Sequence, residues 1–321
     1  MSASFKRIDY SLRPAKHAER RMLCDVFRRL RPFGRIEEYI YVGFGSVWFS
    51  DFILFHRALG IRDMISIEQA VHAKQRIDDN KPFRISIDYR TSTDVLPELN
   101  WARNNILWLD YDDPLSTSML LDMATVAGRA GSGTVLAVSV QCSQARQVAE
   151  VAEAPTGSPG TLSHFINSFG RERVPPETAE DQLFGWPFGA LSRVMVLQEI
   201  EAALAVRNAC TEGNEIHFNP ICEIEYEDGA KMTTLVGMFC STSDVPKFEE
   251  CHFETLDFLQ SVSGPVRISV PKLTVREFKK LESQLPLLEG DTLELGSIPL
   301  AEARQFSKMY RYLPNFAVLE G

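Results

Sequence analysis

Apolar runs alternate with amphipathic segments along the first half of the chain. Runs of β-branched and aromatic residues predict strands, and apolar side chains that recur at helical spacing predict helices. The predicted strands span residues 38–42, 64–68, 83–89, 105–110 and 133–141. Helices are predicted at 47–59 and 115–130. Five apolar strands that alternate with helices indicate a doubly wound, mostly parallel sheet with both faces covered.

A further helix is predicted ahead of the first strand, over residues 15–30. Its apolar side chains recur at helical spacing and are Met22, Leu23, Val26, Phe27 and Leu30. Pro14 stands at a first-turn position, where a proline removes no intrahelical hydrogen bond. We expect this helix to pack against the sheet edge and to cover a neighbouring pocket.

The alternation stops after the fifth strand. Glycine, proline and serine cluster at 155–160 and further prolines follow, which predicts an irregular insertion or lid over 153–190. The pattern becomes helical again over 191–207.

The remaining segments are shorter. Two β-rich runs at 215–226 and 231–240 flank Asp228-Gly229, and this combination predicts an antiparallel hairpin. The segment from Thr274 matches a helix capping box. A last helix is predicted over 301–312.

The composition is that of a folded globular protein, with 45% hydrophobic and 24% charged residues. No apolar run approaches the roughly 18–20 residues that cross a bilayer, and the charged N-terminus lacks the apolar core of a signal peptide. We therefore expect a cytoplasmic protein. The six cysteines are scattered without a close pair, which favours buried reduced thiols over a zinc site.

The net charge of −9 argues against a general nucleic-acid binder. The charge is uneven, because the stretch 6–35 is strongly basic. One interpretation is a surface that contacts phosphates, with Arg13 and Lys16 folding over a cofactor or a substrate phosphate. The other, which we favour, is the solvated side of an amphipathic helix.

The residues that carry chemistry stand where predicted strands end. Gly43 and Gly45 follow the first strand and let a ligand approach the backbone, and Ser46 comes next. Glu68 ends the second strand, where an acid can accept hydrogen bonds from ribose hydroxyls. Asp94 follows the third strand, where its carboxylate can accept from an adenine amine.

The fourth predicted strand ends in Asp110-Tyr111-Asp112-Asp113-Pro114. Carboxyl ends of parallel strands meet at one edge of a sheet, and open α/β folds keep their active sites there. Asp110 and Asp112 are candidates to deprotonate or orient a hydroxyl or an amine. Tyr111 is a candidate for substrate contact or for packing. For Asp112, a solvated turn or a helix N-cap is the alternative.

In this order, the motifs resemble those of the class I S-adenosylmethionine-dependent methyltransferases over about residues 36–142, with a weaker match at 215–240. The resemblance implies a seven-stranded, Rossmann-like sheet that ends in an antiparallel hairpin. The implied organisation is an N-terminal helical segment (1–35), a methyltransferase domain (36–245) that carries the insertion, and a C-terminal helical extension (246–321).

The resemblance also implies roles for the site residues and S-adenosylmethionine as the cofactor. The first loop, Gly43-Phe44-Gly45-Ser46, would meet the methionine part of the cofactor, and Glu68 would hold the ribose. Asp94, within Asp-Val-Leu-Pro, would meet the adenine. The loop that starts at Asp110 would face the methyl group and the acceptor.

Three features depart from the family's pattern. The family carries an acid two residues before the first glycine, where this chain has Tyr41. Bulky residues, Val47-Trp48-Phe49, stand where small residues and often a third glycine are common. The residue order in 110–114 differs from the Asp-Pro-Pro-Tyr loop of amino methyltransferases, so the resemblance implies no particular acceptor.

We interpret the chain as a methyltransferase that acts by direct displacement on a nucleic acid, a protein or a small molecule, with the oligomeric state left open. An oxidoreductase on a true dinucleotide fold is one alternative, but it would need the third glycine, which is missing. The other is a catalytically degenerate module that binds the cofactor and acts with a partner protein, in which Trp48 and Phe49 narrow the cofactor pocket.

Overall fold

Eight β-strands and eleven α-helices form in the part of the chain that the computed structural model describes, namely residues 13–152, 160–211, 213–260, 263–288 and 290–314. The strands are β1 (Ile40–Gly43), β2 (Asp63–Ile67), β3 (Ser86–Asp88), β4 (Asn105–Pro114), β5 (Val135–Gln141), β6 (Ile216–Asp228), β7 (Ala230–Ser241) and β8 (Val266–Arg267). The helices are α1 (Pro14–Arg28), α2 (Ser50–Leu59), α3 (Lys74–Asn80), α4 (Ser92–Val95), α5 (Thr117–Arg129), α6 (Arg146–Ala152), α7 (Thr161–Phe169), α8 (Gly185–Asn208), α9 (Val245–Glu250), α10 (Val275–Glu282) and α11 (Leu300–Met309).

One sheet contains these strands, in the order β3-β2-β1-β4-β5-β7-β6-β8. Strands β1 to β5 are parallel, and β7 lies antiparallel between β5 and β6. The predicted doubly wound, Rossmann-like sheet with a late antiparallel hairpin is therefore confirmed. Because the strand order reverses between β1 and β4, the carboxyl ends of these two strands border the crevice in which such sheets bind ligands.

The predicted number of seven strands is wrong, because an eighth strand joins the sheet at its far edge. Strand β8 pairs in parallel with β6, with Val266 opposite Ile224. The N–H of Ile268 then donates to the carbonyl of Glu225 at 2.8 Å. A strand of two residues carries too short an apolar pattern to be recognised in the sequence. The C-terminal extension thereby covers part of an edge that would otherwise be open.

Side chains alternate between two cores along the central strands. On β4, Ile106 and Trp108 point to the core beneath α1 and α2, whereas Leu107 points to the core beneath α5 and α8. Helix α1 meets α2 through Phe27 and Phe55, whose ring centroids are 5.2 Å apart. The expectation that this helix lies at the sheet edge is wrong, since its apolar side packs on the face of the central strands.

The segment predicted to be an irregular insertion is partly helical. Residues 153–159 lie outside the described residues, but α7 follows directly and α8 begins at Gly185 rather than at residue 191. Pro187 is compatible with this start because it stands in the first turn, where N–H groups have no intrahelical partner. The prediction of irregular structure is therefore wrong for the residues of α7 and for 185–190.

The C-terminal extension packs on the same core as α1. The rings of Phe278 and Phe306 meet edge to face at 5.0 Å, and this contact joins α10 to α11. Thr274 and Glu277 form the predicted capping box at the start of α10. The domain boundaries at residues 35 and 245 stay predictions.

Five of the six cysteines are buried and Cys210 is exposed, and all six are free thiols. Burial raises the pKa of Cys24 and of Cys142 to about 12, which keeps both thiols protonated and unreactive at neutral pH. Over the described ranges, no helix combines the length and the apolar character needed to cross a membrane.

The tip of the β6–β7 hairpin holds the N-terminus of α1. The Asp228 carboxylate accepts the backbone N–H of Lys16 at 2.9 Å and that of Ala15 at 3.4 Å. A helix leaves such N–H groups without intrahelical partners, and a carboxylate there also meets the positive end of the helix dipole. The N-cap residue Arg13 supplies no side-chain cap. Asp228 therefore fixes the position of α1 on the sheet.

Replacing Asp228 with alanine is expected to lower the free energy of unfolding by about 1 kcal/mol, the usual cost of a lost helix cap. Asp228→Asn should cost less, because an amide oxygen can still accept one of the two N–H groups. Urea denaturation followed by circular dichroism measures both values.

The control for this prediction is the neighbouring Glu227→Ala. Glu227 makes only a half-exposed pair with Lys231 at 3.4 Å, so its removal should change stability by less than about 0.5 kcal/mol. Equal losses in the Asp228 and Glu227 variants would contradict the capping role.

Candidate active site

The loop between β1 and α2 folds tightly around two glycines. A β-carbon on Gly43 would lie 2.6 Å from the hydroxyl of Tyr41, and one on Gly45 would lie 2.4 Å from Cδ1 of Phe49. Neither position accepts a side chain without displacing its neighbours. Ser46 and Phe49 adopt left-handed backbone conformations, with φ of 54° and 48°. Such conformations are costly for residues other than glycine and are concentrated at functional sites.

The bulky residues of this loop turn inward. Phe49 is fully buried and packs against Phe52 with ring centroids 5.7 Å apart, and Val47 is buried as well. These two side chains fill the core beneath α2 rather than the crevice at the strand ends.

Glu68 lies against the same loop. Its Oε1 atom accepts the backbone N–H of Ser46 at 2.6 Å and the hydroxyl of Ser66 at 2.9 Å. Burial raises the pKa of Glu68 to about 7, although the bonds from Ser66 and Ser46 lower it. Glu68 therefore changes charge near neutral pH.

Asp94 stands in the first turn of the short helix α4, with its side chain exposed. The Thr91 hydroxyl donates to the Asp94 carboxylate at 2.6 Å, and the Thr91 side chain accepts the Asp94 N–H at 3.2 Å. These bonds hold the carboxylate at the surface of the loop that follows β3. Its contact with adenine stays a prediction.

A buried carboxylate on α5, Asp122, joins this loop to β4. It accepts hydrogen bonds from the hydroxyls of Ser92, Thr93 and Tyr111 at 2.5, 2.7 and 2.6 Å. The Tyr111 ring packs edge to face against Phe44, with centroids 5.2 Å apart. Tyr111 therefore braces the β1 and β4 loops, and a contact with the substrate stays a prediction.

Lys16 and Asp110 form an ion pair under α1. The Lys16 Nζ atom lies 2.6 Å from Oδ1 of Asp110 and 2.8 Å from Oε2 of Glu19. The ammonium also lies over the rings of Trp108 and Tyr226, 4.3 and 5.3 Å from their centroids. Lys16 is 1% exposed whereas the Asp110 side chain is 21% exposed. The pair is thus closed on the lysine side and open on the carboxylate side.

A chain of polar groups connects this pair to the middle of the sheet. Glu19 accepts a hydrogen bond from the Thr234 hydroxyl, which lies 2.8 Å from the Ser139 hydroxyl. The indole N–H of Trp108 donates to Ser139 at 2.9 Å. Burial raises the pKa of Glu19, and the neighbouring Lys16 ammonium lowers it. The Lys16 side chain is therefore fixed from several directions, which favours positioning of Asp110 over contact with a substrate phosphate.

Tyr41, which replaces an acid of the resembling family, brings a carboxylate to the same corner. Its hydroxyl donates a short hydrogen bond to Oδ2 of Asp51. A β-carbon on Gly43 would lie 3.2 Å from that oxygen, so the carboxylate lies beside the loop. Burial raises the pKa of Asp51, and the Arg20 guanidinium lowers it. An acid thus reaches this position from α2 instead of from β1.

The structure brings most of the predicted residues to one edge of the sheet. The glycine loop and Glu68 touch directly, and Lys16 joins Asp110 at the neighbouring strand end. Asp112 is exposed further along β4, and Arg13 lies half-buried just ahead of α1. Their roles in catalysis and in substrate binding stay predictions. His56 is packed against the body of the protein, with Nδ1 2.8 Å from the carbonyl of Ile61.

Sequence reasoning missed Glu19, Arg20 and Asp122, which are all buried charged residues. A signal was present on α1, because Lys16, Glu19 and Arg20 fall among its apolar positions and not on the opposite side. Charged side chains on the buried side of a helix need partners, so they indicate a site or a buried network. Asp122 offered the same signal on α5.

Both the sequence and the fold of the chain are similar to those of known methyltransferases. The sequence model of a family described as "Putative O-methyltransferase" matches residues 8–321. No curated protein matches the chain in sequence. Among solved structures, the chain is similar to Trm1 from Pyrococcus horikoshii in complex with S-adenosyl-L-methionine, with 11% identity and a TM-score of 0.41 over 70% of this chain and 55% of that chain. It is also similar to an S-adenosylmethionine-dependent methyltransferase from Clostridium acetobutylicum, with 7% identity and a TM-score of 0.39 over 73% of this chain and 93% of that chain.

The Gly45→Ala substitution is expected to lower the free energy of unfolding by about 1–3 kcal/mol, the cost of overpacking a tight site. Its β-carbon would press on the Phe49 ring and would also lie 2.8 Å from the Ser66 hydroxyl. Thermal and urea denaturation would measure the loss.

Gly128→Ala is the matched control for this prediction. A β-carbon on Gly128 meets no atom within 4 Å, and the residue lies within α5. Alanine there should stabilise the protein by about 0.4–1 kcal/mol. A Gly45 variant as stable as the Gly128 variant would show that the loop is not tightly packed.

Proposed function

Because the chain belongs to the family described as "Putative O-methyltransferase", we propose that it transfers a methyl group from S-adenosylmethionine to a hydroxyl oxygen of its acceptor. The chain is a member of the class I S-adenosylmethionine-dependent methyltransferases, whose methyl donor is S-adenosylmethionine. The observation that supports a hydroxyl acceptor is the ion pair of Asp110 and Lys16 at the carboxyl end of β4. It presents a carboxylate to the crevice with one oxygen already held.

The residues present fit the cofactor. Gly43 and Gly45 leave no room for side chains, and the backbone of this loop would take the methionine part. The Glu68 carboxylate, which already lies against this loop, would accept from the ribose hydroxyls. The exposed Asp94 carboxylate would accept from the adenine amine.

The bound cofactor supplies a methyl group on a sulfonium, which is already a strong electrophile, so the protein has mainly to align the acceptor. With the cofactor bound, Asp110 would accept the proton of the acceptor hydroxyl while that oxygen takes the methyl group from the sulfonium. Lys16 holds Oδ1 of Asp110 and leaves Oδ2 for the acceptor. The products are a methyl ether, S-adenosylhomocysteine and a proton on Asp110 that passes to water.

Neither alternative has comparable support. A dinucleotide-dependent oxidoreductase of the usual type has six parallel strands, whereas β7 here lies antiparallel between β5 and β6. A degenerate module was suggested by Trp48 and Phe49 narrowing the cofactor pocket, but Phe49 packs into the core beneath α2 and the partly buried Trp48 packs against that core.

A small-molecule acceptor is favoured over a nucleic acid. Arginines of the basic N-terminal segment pair with neighbouring acids, as in Arg28 with Asp25 at 2.5 Å and Arg35 with Glu38 at 3.6 Å. Arg20 is buried under α1. Burial or ion pairing thus leaves these three arginines less available to phosphates.

Binding of S-adenosylmethionine is expected to strengthen about tenfold between pH 6 and pH 8, because a carboxyl with a pKa near 7 becomes ionised over that range. Only the ionised form of Glu68 accepts hydrogen bonds with both oxygens, so affinity is lost as the pH falls through 7. Isothermal titration calorimetry at several pH values would measure the profile.

Two variants control this experiment. Glu68→Gln should bind more weakly and show a flat pH profile, whereas Asp94→Ala should bind more weakly and keep the wild-type profile. A wild-type protein that binds neither S-adenosylmethionine nor S-adenosylhomocysteine at any pH would contradict the proposed cofactor site.

Asp110→Asn is expected to reduce kcat by about 100-fold or more, the usual contribution of a general base. Its affinity for S-adenosylmethionine should stay within a few-fold of the wild-type value. The assay first incubates a cell extract with the enzyme and radiolabelled S-adenosylmethionine, and separates small molecules, RNA and protein to find which fraction takes up the label. The kcat values are then measured with that fraction alone.

Asp113→Asn is the matched control, because Asp113 makes only a half-exposed pair with Arg146 at 3.8 Å. It should keep wild-type activity. A product labelled on nitrogen, or a fully active Asp110 variant, would exclude the proposed chemistry.

A further inference from the structure

Two buried side chains of opposite charge lie near the glycine loop without pairing with each other. Arg20 of α1 is 7% exposed and Asp51 of α2 is 8% exposed. The Nε atom of Arg20 is buried without a hydrogen-bond partner, and no described residue forms an ion pair with the guanidinium. Asp51 receives a hydrogen bond from Tyr41.

The two charges are close enough to influence each other. The Arg20 guanidinium lowers the pKa of both Asp51 and Tyr41, yet it forms no ion pair with Asp51. Asp51 lies beside Gly43, as shown above, so its carboxylate stands at the carboxyl end of β1. This is the place that the proposed function gives to the methionine part of the cofactor.

Lys16, the other buried cation of α1, is not available to pair with a ligand. Its ammonium is already bound by Asp110 and Glu19. Arg20 is therefore the buried cation of α1 whose pairing is unmet among the described residues. A buried charge without a partner is unfavourable, and a ligand that supplies the partner gains from it.

We propose that Arg20 binds the α-carboxylate, and Asp51 the α-ammonium, of the amino-acid end of the cofactor. A zwitterion carries both charges a short distance apart, and a cation and an anion that are held separate in a buried site are complementary to it. Arg20 and Asp51 are thus positioning residues that fix the sulfonium relative to Asp110. This inference rests on the proposed function.

The test compares three ligands that share the adenosine group and carry different charged groups at the amino-acid end, and each ligand is compared between wild type and variant. S-adenosylhomocysteine carries both charges, decarboxylated S-adenosylmethionine lacks the carboxylate, and 5′-methylthioadenosine lacks both charged groups. Calorimetric titration of the wild-type protein and of the variants Arg20→Met and Asp51→Asn gives the affinities.

Arg20→Met should lower the affinity for S-adenosylhomocysteine about ten- to hundredfold, which corresponds to the loss of a hydrogen bond to a charged group. The affinities for the other two ligands should stay unchanged. Asp51→Asn should lower the affinities for S-adenosylhomocysteine and for decarboxylated S-adenosylmethionine, and the affinity for 5′-methylthioadenosine should stay unchanged. Arg20→Lys should recover part of the affinity for the carboxylate.

The melting temperature separates this role from a structural one. Because Arg20→Met removes an unpaired buried charge, the variant should melt at or above the wild-type temperature without ligand, whereas loss of a structural contact would lower it. Arg21→Met is the control, since Arg21 is exposed and lines a separate cavity of about 330 Å³ with Cys24 and Tyr312.

If Arg20→Met lowered the affinities for all three ligands equally, or lowered none of them, the assignment would be overturned and the proposed function would stand. A wild-type protein that binds 5′-methylthioadenosine as tightly as S-adenosylhomocysteine would overturn it too. Absence of binding by all three ligands to the wild-type protein would overturn the proposed function and this inference together.

Discussion

The contact between the Lys16 ammonium and the Asp110 carboxylate is the interaction on which the site depends. It joins the first described helix to the end of a central strand, in a place where water is excluded on the lysine side. A buried ammonium is tolerated only when it is paired, and here two carboxylates and two aromatic rings surround it. The same contact therefore sets the position of α1 and the orientation of the carboxylate at the crevice.

The neighbouring polar groups make this arrangement rigid. Glu19 is held by Lys16 and Thr234, and Thr234 in turn lies against Ser139 on β5. Asp122 lies on the other side of β4, where it accepts hydrogen bonds from two hydroxyls of α4 and one of β4. Strand β4 is thus braced on both faces just before the point at which its side chains reach the crevice. Rigid support of this kind is what positioning of a reacting group requires.

Much of the architecture could be predicted from the sequence, because strands and amphipathic helices have local patterns. The residues at strand ends followed from the same patterns, since parallel strands bring their carboxyl ends together. Strand β8 and the early start of α8 could not be predicted, because a two-residue strand has no period and Pro187 is a helix breaker anywhere but in a first turn. The partners of Glu19, Arg20 and Asp122 were hidden for another reason. They come from distant parts of the chain, and a single sequence carries no record of which distant residues meet.

The cap that Asp228 places on α1 has a consequence for synthesis of the protein. Lys16 and Asp228 are 212 residues apart in sequence, so the helix made first is fixed by a hairpin made late. A nascent chain on the ribosome can assemble β1 to β5, with the glycine loop and Glu68, well before the β6–β7 hairpin emerges. Until then the part of the chain that the structure describes offers α1 no side-chain cap, and the surface on which it packs is incomplete. An unfinished chain can therefore form the glycine loop and its contact with Glu68 while the Asp110 carboxylate still lacks its Lys16 partner.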